Sequence, residues 1–260
     1  MIEMLKKNML SYSDSGQGTP IVLIHGFCGS RGYWKDVIPS LQDEYRIIAV
    51  DLRGHGESKS EDKDFEIDDM ARDVHNLLKH LSVDRVYLFG HSLGGYVTLS
   101  FAEQFPGMAA GFSLVHSTAY PDSEEAKEGR LRSIEQIEMH GLKPFVDGLV
   151  PKLFADTGDN SRQIHKEAAK EIGYQTSING AIGALNAMRK RGDRNHVLSN
   201  SNVPVLLIAG AKDKVIAPEK TFSVTGKNHI KEVLLPDCGH MGMLEDPGRV
   251  AEAIKNFVPR

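Results

Sequence analysis

Val86-Tyr87-Leu88-Phe89-Gly90-His91-Ser92-Leu93-Gly94-Gly95 is the stretch on which the fold turns. Its apolar start reads as a buried strand that stops at Gly90. A serine follows two positions later, and a helical pattern of Leu93, Val97, Leu99 and Phe101 begins at once. A G-x-S-x-G run between strand and helix sets its serine on a sharp turn, with the hydroxyl standing clear of the sheet. Gly90 and Gly94 have no Cβ, which lets the flanking turns approach closely. The helix opening at Leu93 directs free N–H groups and a positive dipole end toward whatever the Ser92 hydroxyl meets. A glycine-rich junction with an incidental serine would look the same locally, so the rest of the chain has to decide.

Outward from this junction, strand and helix patterns alternate. Met9–Ser13 reads as a short strand, and Pro20–Ile24 and Arg46–Val50 are continuous apolar runs of the kind covered on both faces of a sheet. Phe112–His116, Val203–Ala209 and Glu232–Leu235 add further strands. A helix is expected across Tyr33, Trp34, Val37, Ile38 and Leu41. The clearest helix puts Ile67, Met70, Ala71, Val74, Leu77, Leu78 and Leu81 on one face. This alternation predicts a mostly parallel α/β sheet with right-handed crossovers. Sites in such sheets lie at the carboxyl ends of the strands, where the loops at His25, Asp51, Ser92 and His116 fall.

The alternation breaks between about Ser117 and Leu198, where only helical patterns occur, around Leu131–Met139, Pro144–Phe154, Ser161–Ile172 and Ile178–Met188. The expected division is a core of residues 1–117 and 199–260 with a helical cap at 118–198. Gly180, Gly183, Ala184 and Ala187 share a face of the last cap helix, which predicts close packing on a neighbour. Arg189, Lys190, Arg191 and Arg194 are expected to form a solvated basic surface, the sharper alternative being a site for an acidic acyl carrier or a substrate carboxylate.

Composition excludes several function classes. With 260 residues, a net charge of −4 and 25% charged residues, the chain has length for one large α/β domain and no basic excess for nucleic acid. No apolar run is long enough to span a bilayer, and Met1–Asn8 has no signal-peptide pattern. Cys28 and Cys238 cannot build a disulfide framework and read as free thiols in a reducing cytoplasm. No metal or other cofactor is expected. His75 and His80 are five apart, about 140° around a helix, and Gly16-Gln17-Gly18 lacks the third glycine of a dinucleotide fingerprint.

A serine hydroxyl is a weak nucleophile that needs a base beside it and a third group to orient that base. Asp213 follows one apolar strand and His240 follows the last. Either alone would be an ordinary surface group, but the order Ser92, Asp213, His240 is the one a strand–helix elbow uses. Asp122, after the strand ending at His116, is the alternative acid, and Asp237 stands too close to His240 along the chain. His91 is expected to pack beneath the elbow and His25 to buttress the loop it opens. Arg53 and His55 are expected to hold a loop by hydrogen bonds, and Cys28 and His116 to line the substrate pocket.

Four motifs together make the chain resemble the α/β-hydrolase superfamily over essentially its full length: His25-Gly26-Phe27, Asp51-Leu52-Arg53-Gly54-His55-Gly56-Glu57-Ser58, Gly90-His91-Ser92-Leu93-Gly94-Gly95 and Gly239-His240. The resemblance implies a mostly parallel eight-stranded sheet flanked by helices, with a helical cap. It also implies Ser92 as nucleophile, His240 as general base and then acid, Asp213 as the orienting carboxylate, and an oxyanion hole made by the backbone N–H groups of Phe27 and Leu93. The serine argues against the epoxide-hydrolase and haloalkane-dehalogenase branches, which resemble this fold but use aspartate. A carboxylesterase for small to medium acyl esters is the first expectation. Thioesterase and carbon–carbon bond hydrolase are alternatives, the latter needing a polar end for a substrate carboxylate at Arg130 or Arg132. A module that keeps the triad but only senses a ligand is the alternative of a different class. The expected partner is a small-molecule ester, without nucleic acid or membrane insertion, and with a homodimer allowed.

Overall fold

Each apolar run of the sequence becomes a strand of a single sheet in the computed structural model, which describes residues 9–156, 158 and 161–260. The strands are β1 (Tyr12–Ser15), β2 (Thr19–Ile24), β3 (Tyr45–Val50), β4 (Val86–His91), β5 (Ala109–Val115), β6 (Val205–Gly210) and β7 (Ile230–Leu235). Their order is β1-β3-β2-β4-β5-β6-β7. Only β1 runs antiparallel, against β3; every other neighbouring pair is parallel. The expected eight strands are therefore seven among the described residues. The seven use up the apolar runs, and the eighth had rested on resemblance alone; Met1–Asn8 lie outside the described residues.

The central strands explain their own sequences. β4 pairs with β2 on one side and β5 on the other, and Leu88 and Phe89 are wholly buried, so an unbroken apolar run is what that position requires. The chain leaves β2 to build β3 outward and then returns to place β4 on the other side. That reversal opens a crevice at the carboxyl ends of β2 and β4, the usual place for a site in such sheets. Helix α1 (Ile67–His80) lays its apolar stripe on the sheet, and the Asp69 carboxylate accepts from the Glu66 amide at 2.8 Å at its start. Helix α2 (Leu93–Gln104) is apolar nearly all round and correspondingly buried from Leu93 through Ala102. The single helix expected over residues 33–41 is instead two 3₁₀ segments, Arg31–Trp34 and Ile38–Ser40. Pro39 lacks an amide donor and cannot continue a helix begun before it.

Between β5 and β6 the described chain contains only helical elements: α3 (Glu124–His140), α4 (Leu142–Leu149), a 3₁₀ turn (Val150–Leu153), α5 (Gln163–Gly173), α6 (Ile178–Lys190) and α7 (Asn195–Ser199). The short α8 (Pro218–Thr221) precedes β7, and α9 (Gly242–Glu245) and α10 (Pro247–Lys255) follow it. Among the described residues no helix is long and apolar enough to cross a membrane.

The small-residue face of α6 packs on the core. Ser177 caps the helix by accepting from Gly180 N at 3.0 Å, and its own amide donates to Gly54 O at 2.9 Å. A Cβ on Gly180 would stand 2.4 Å from the Gly54 Cα, and one on Gly183 would stand 2.2 Å from the Phe65 ring. Gly180→Val is expected to destabilise the fold by about 1–3 kcal/mol through overpacking, read as a lower urea midpoint; an unchanged midpoint would refute the backbone contact.

Candidate active site

Ser92 sits between β4 and α2 with φ 49° and ψ −113°, a region few non-glycine residues occupy. Such a conformation costs about 1–3 kcal/mol and persists only where surroundings over-determine it. Here they do. Ser92 N donates to Val115 O at 3.0 Å, while Ser92 O accepts from Gly95 N at 2.9 Å and from the Ser117 hydroxyl at 2.7 Å. The turn is also too tight for side chains. A Cβ on Gly90 would lie 2.2 Å from Gly94 O, and one on Gly94 would lie 2.5 Å from Ile24 O.

The loops after β6 and β7 bring Asp213 and His240 together. Asp213 Oδ1 accepts from the amides of Val215 and Ile216 at 2.8 and 2.9 Å, and Oδ2 accepts from His240 Nδ1–H at 2.8 Å. That bond fixes the imidazole proton on Nδ1 and leaves Nε2 able to accept one. Burial disfavours charge on Asp213, but the His240 and His116 rings outweigh it and hold the carboxyl well below its usual range. His240 and Ser92 line the same cavity of about 510 Å³, together with Phe27, Leu149, Leu153 and Met188. A hydroxyl, an oriented imidazole and an apolar chamber can together support acyl transfer.

Three further histidines frame this pair. His91 Nε2–H donates to the His240 carbonyl at 2.8 Å from beneath the elbow. His116, at φ 48°, accepts from Gly242 N through Nε2 at 3.2 Å, and its Nδ1 lies 3.6 Å from Asp213 Oδ2, beyond hydrogen-bond length. His25 Nδ1–H donates to Gly26 O at 2.7 Å while Nε2 accepts from Leu52 N at 2.9 Å, so it ties the loop after β2 to the loop after β3. That second loop is fixed by Asp51, whose carboxylate accepts from Arg31 N at 2.7 Å and Glu57 N at 3.0 Å and pairs with the Arg31 guanidinium. Arg53 pairs bidentately with Asp73 at 2.5 and 2.7 Å. Among the described residues, neither Phe27 N nor Leu93 N has a hydrogen-bond acceptor.

Several expected residues lie elsewhere. Neither Cys28 nor His116 lines the cavity. Cys28, at φ 50°, is 1% exposed, and burial pushes its thiol up. His116 is turned toward Asp213 and Gly242. Asp122 does not reach His240; it binds Arg130 and Arg191, which hold its carboxyl below the usual range against burial. Asp237 pairs with Lys212 at 2.9 Å. Only part of the basic cluster is a solvated surface: Lys190 is exposed, but Arg191 is buried in the cavity wall and Arg194 binds Asp68 and Glu103 at 2.5 and 2.9 Å. The guanidinium of Arg191 stacks on the Tyr96 ring, a contact that a lysine ammonium would reproduce only in part. Arg132 is exposed and faces Glu128. No group of three or more His, Cys, Asp and Glu among the described residues could hold a metal ion.

Glu245 belongs to none of the motifs read from the sequence. In the fold its buried carboxylate clasps the His240 loop. Oε1 accepts from Gly239 N and Met241 N at 2.9 and 3.0 Å, Oε2 accepts from Ala155 N at 3.0 Å, and Arg162 pairs with it. His240 N in turn donates to Leu153 O at 2.8 Å. The only signal in the sequence is a carboxylate five residues after the histidine; the amides that it meets carry no sequence code.

Comparison with known proteins agrees with this fold. Residues 19–134 match a family model described as the alpha/beta hydrolase fold. A thermophilic esterase from Thermogutta terrifontis, solved with malate bound, is 32% identical with a TM-score of 0.90, covering 95% of this chain and 92% of its own. The 2-hydroxy-6-oxo-6-(2'-aminophenyl)hexa-2,4-dienoic acid hydrolase of Metapseudomonas resinovorans is 27% identical over 96% of this chain and 87% of its own length. The dihydrolipoyllysine-residue acetyltransferase component of the acetoin cleaving system of Pseudomonas putida is 33% identical over 93% of this chain, which spans 64% of that relative's length.

Removing the clasp with Glu245→Ala is expected to cost about 3–5 kcal/mol, because buried amides and Arg162 lose their partner; an unchanged thermal midpoint would refute it. Acid should also unfold the protein early. Burial holds His25, His55, His91 and His116 below the ordinary imidazole value, His55 at about 4. The unfolded chain therefore binds more protons below about pH 6.5. Stability that is full above that pH falls toward pH 4, by up to about 1.4 kcal/mol per pH unit for each histidine. Urea midpoints measured from pH 7.5 to 4.5 test this, and His55→Asn should make the slope shallower.

Proposed function

The chain belongs to the α/β-hydrolase superfamily, and within it we propose a serine hydrolase, a carboxylesterase acting on small to medium acyl esters through an acyl-enzyme. The observation that carries this reading is the Ser92 elbow opening into the cavity that His240 lines, with His240 Nδ1–H held at 2.8 Å by Asp213. In the proposed mechanism Ser92 Oγ attacks the ester carbonyl carbon and gives its proton to His240 Nε2. Asp213 stabilises the imidazolium so formed. The tetrahedral oxyanion is received by the amides of Phe27 and Leu93, each such donor contributing about 2.7–4 kcal/mol. Collapse expels the alcohol, which takes the proton from His240. Water, deprotonated by the same imidazole, then releases the acid and regenerates Ser92. Helices at 118–198 act as the cap that closes the acyl pocket. Both cysteines are buried free thiols, which suits a reducing cytoplasm.

Carbon–carbon bond hydrolysis by the same three residues is the second reading, favoured by the relative from Metapseudomonas resinovorans. Thioester cleavage would use the same steps with a thiol leaving group.

A chain-length series of p-nitrophenyl esters, run beside a ring-cleavage diketo acid, separates these readings by kcat/KM. Ser92→Ala is expected to lower ester turnover by about 10⁴-fold or more, and Asp213→Asn by about 10⁴-fold, both with the fold intact by circular dichroism. Undiminished turnover in Ser92→Ala would sink the reading.

A further inference from the structure

The cavity beside Ser92 is lined by three cationic side chains, Arg130, Arg191 and Lys220, and by one anionic side chain, Asp122. This positive excess sits in a chain whose net charge is −4. Arg191 is the deeply buried member, 9% exposed. Its Nη1 reaches Asp122 Oδ1 at 2.6 Å and donates to Met188 O at 2.8 Å. Arg130 takes the same carboxylate through Nε and Nη2, the latter 3.1 Å from Oδ1. One carboxylate thus serves two guanidiniums, and Arg191 Nε is buried with no hydrogen-bond partner among the described residues. A purely structural ion pair would balance its charges. A desolvated cation with an unused donor is costly unless an anion completes it.

The position of Arg191 suits a substrate rather than a bystander ion. Its guanidinium carbon lies 3.9 Å from the ring centroid of Tyr96, itself part of the cavity wall. Tyr96 is four residues beyond Ser92, about one helical turn into α2, so the ring that carries the cation and the hydroxyl come from the same end of one helix and face one cavity. Leu149, Leu153, Met188 and Ile216 supply apolar wall in the same chamber. An ester held there with its carbonyl at Ser92 would run a short carbon spacer along that wall and end at the arginines.

We propose that Arg191, backed by Arg130, receives a free carboxylate at the far end of the acyl chain. The preferred substrates are then hemiesters of short dicarboxylic acids, hydrolysed to the dicarboxylate and an alcohol. This rests on the serine-hydrolase reading above, and its test has one arm that needs no turnover.

The first arm compares 4-nitrophenyl hemiglutarate with 4-nitrophenyl pentanoate, which share acyl length and differ in the terminal charge. The ratio of their kcat/KM values should favour the acid and fall about 10- to 100-fold in Arg191→Met, the effect of losing a charge-assisted hydrogen bond at a desolvated site. Arg191→Lys should restore part of the preference, and added salt should weaken it. The second arm measures glutarate binding to wild type and to Arg191→Met by calorimetry, with Arg191→Lys as the variant that keeps a charge should the methionine protein not fold. Binding that weakens on substitution supports the subsite even if no ester is turned over, an outcome that would sink only the hydrolase reading. Turnover of both esters with no preference for the acid, or absence of glutarate binding to wild type, overturns the subsite and leaves the hydrolase reading standing.

Discussion

The site depends on a serine backbone held in a conformation that it would leave if its neighbours allowed. At φ 49° and ψ −113°, Ser92 is fixed by Val115 O on one side and by Gly95 N and the Ser117 hydroxyl on the other. Those partners belong to α2 and to β5 and the residues just beyond it, so the strain is carried by the sheet rather than by the loop. The order of the strands follows the same need. Only with β2 and β5 flanking β4 do the loop after β2 and Ser117 both reach the turn.

Around that turn lies a layer of neutral histidines whose tautomers are dictated by what they touch. His25 gives its Nδ1 proton to Gly26 O and accepts at Nε2, whereas His91 donates from Nε2 to the carbonyl of His240. Each acts as a polar brace that a lysine or a carboxylate could not replace without bringing charge into the core. His91 thereby ties the His240 loop to the elbow, and His25 ties the loops after β2 and β3 to each other, both through uncharged groups.

Much of this was legible in the chain. The elbow could be read because its signal is local: an apolar strand, two glycines that a Cβ would exclude, and a helix beginning at once. Asp213 and His240 could be read because each follows a strand of the parallel sheet, Asp213 the buried β6 and His240 the edge strand β7. Less was legible where meaning depends on distant partners. The Arg189–Arg194 cluster looked like solvated surface because nothing in the sequence reveals that Tyr96 and Asp122 will receive Arg191. Glu245 was invisible for the same reason, since backbone amides are its partners. The number of strands came from resemblance, and only seven apolar runs existed to be used.

The clasp around His240 also divides the helical segment into unequal parts. Leu153 and Ala155 are bonded directly to the histidine loop and to Glu245, so chain near them cannot lift away without disturbing Asp213's partner. Helix α3 packs on α6 and makes no bond to that seam: Ile137 alone is buried along its length, with Leu131 and Met139 exposed. Evolution or grafting can therefore exchange that helix to refit the chamber, while the seam at Leu153 and Ala155 has to be inherited whole. The stretch that can vary and the stretch that cannot thus lie within one run of helices between β5 and β6.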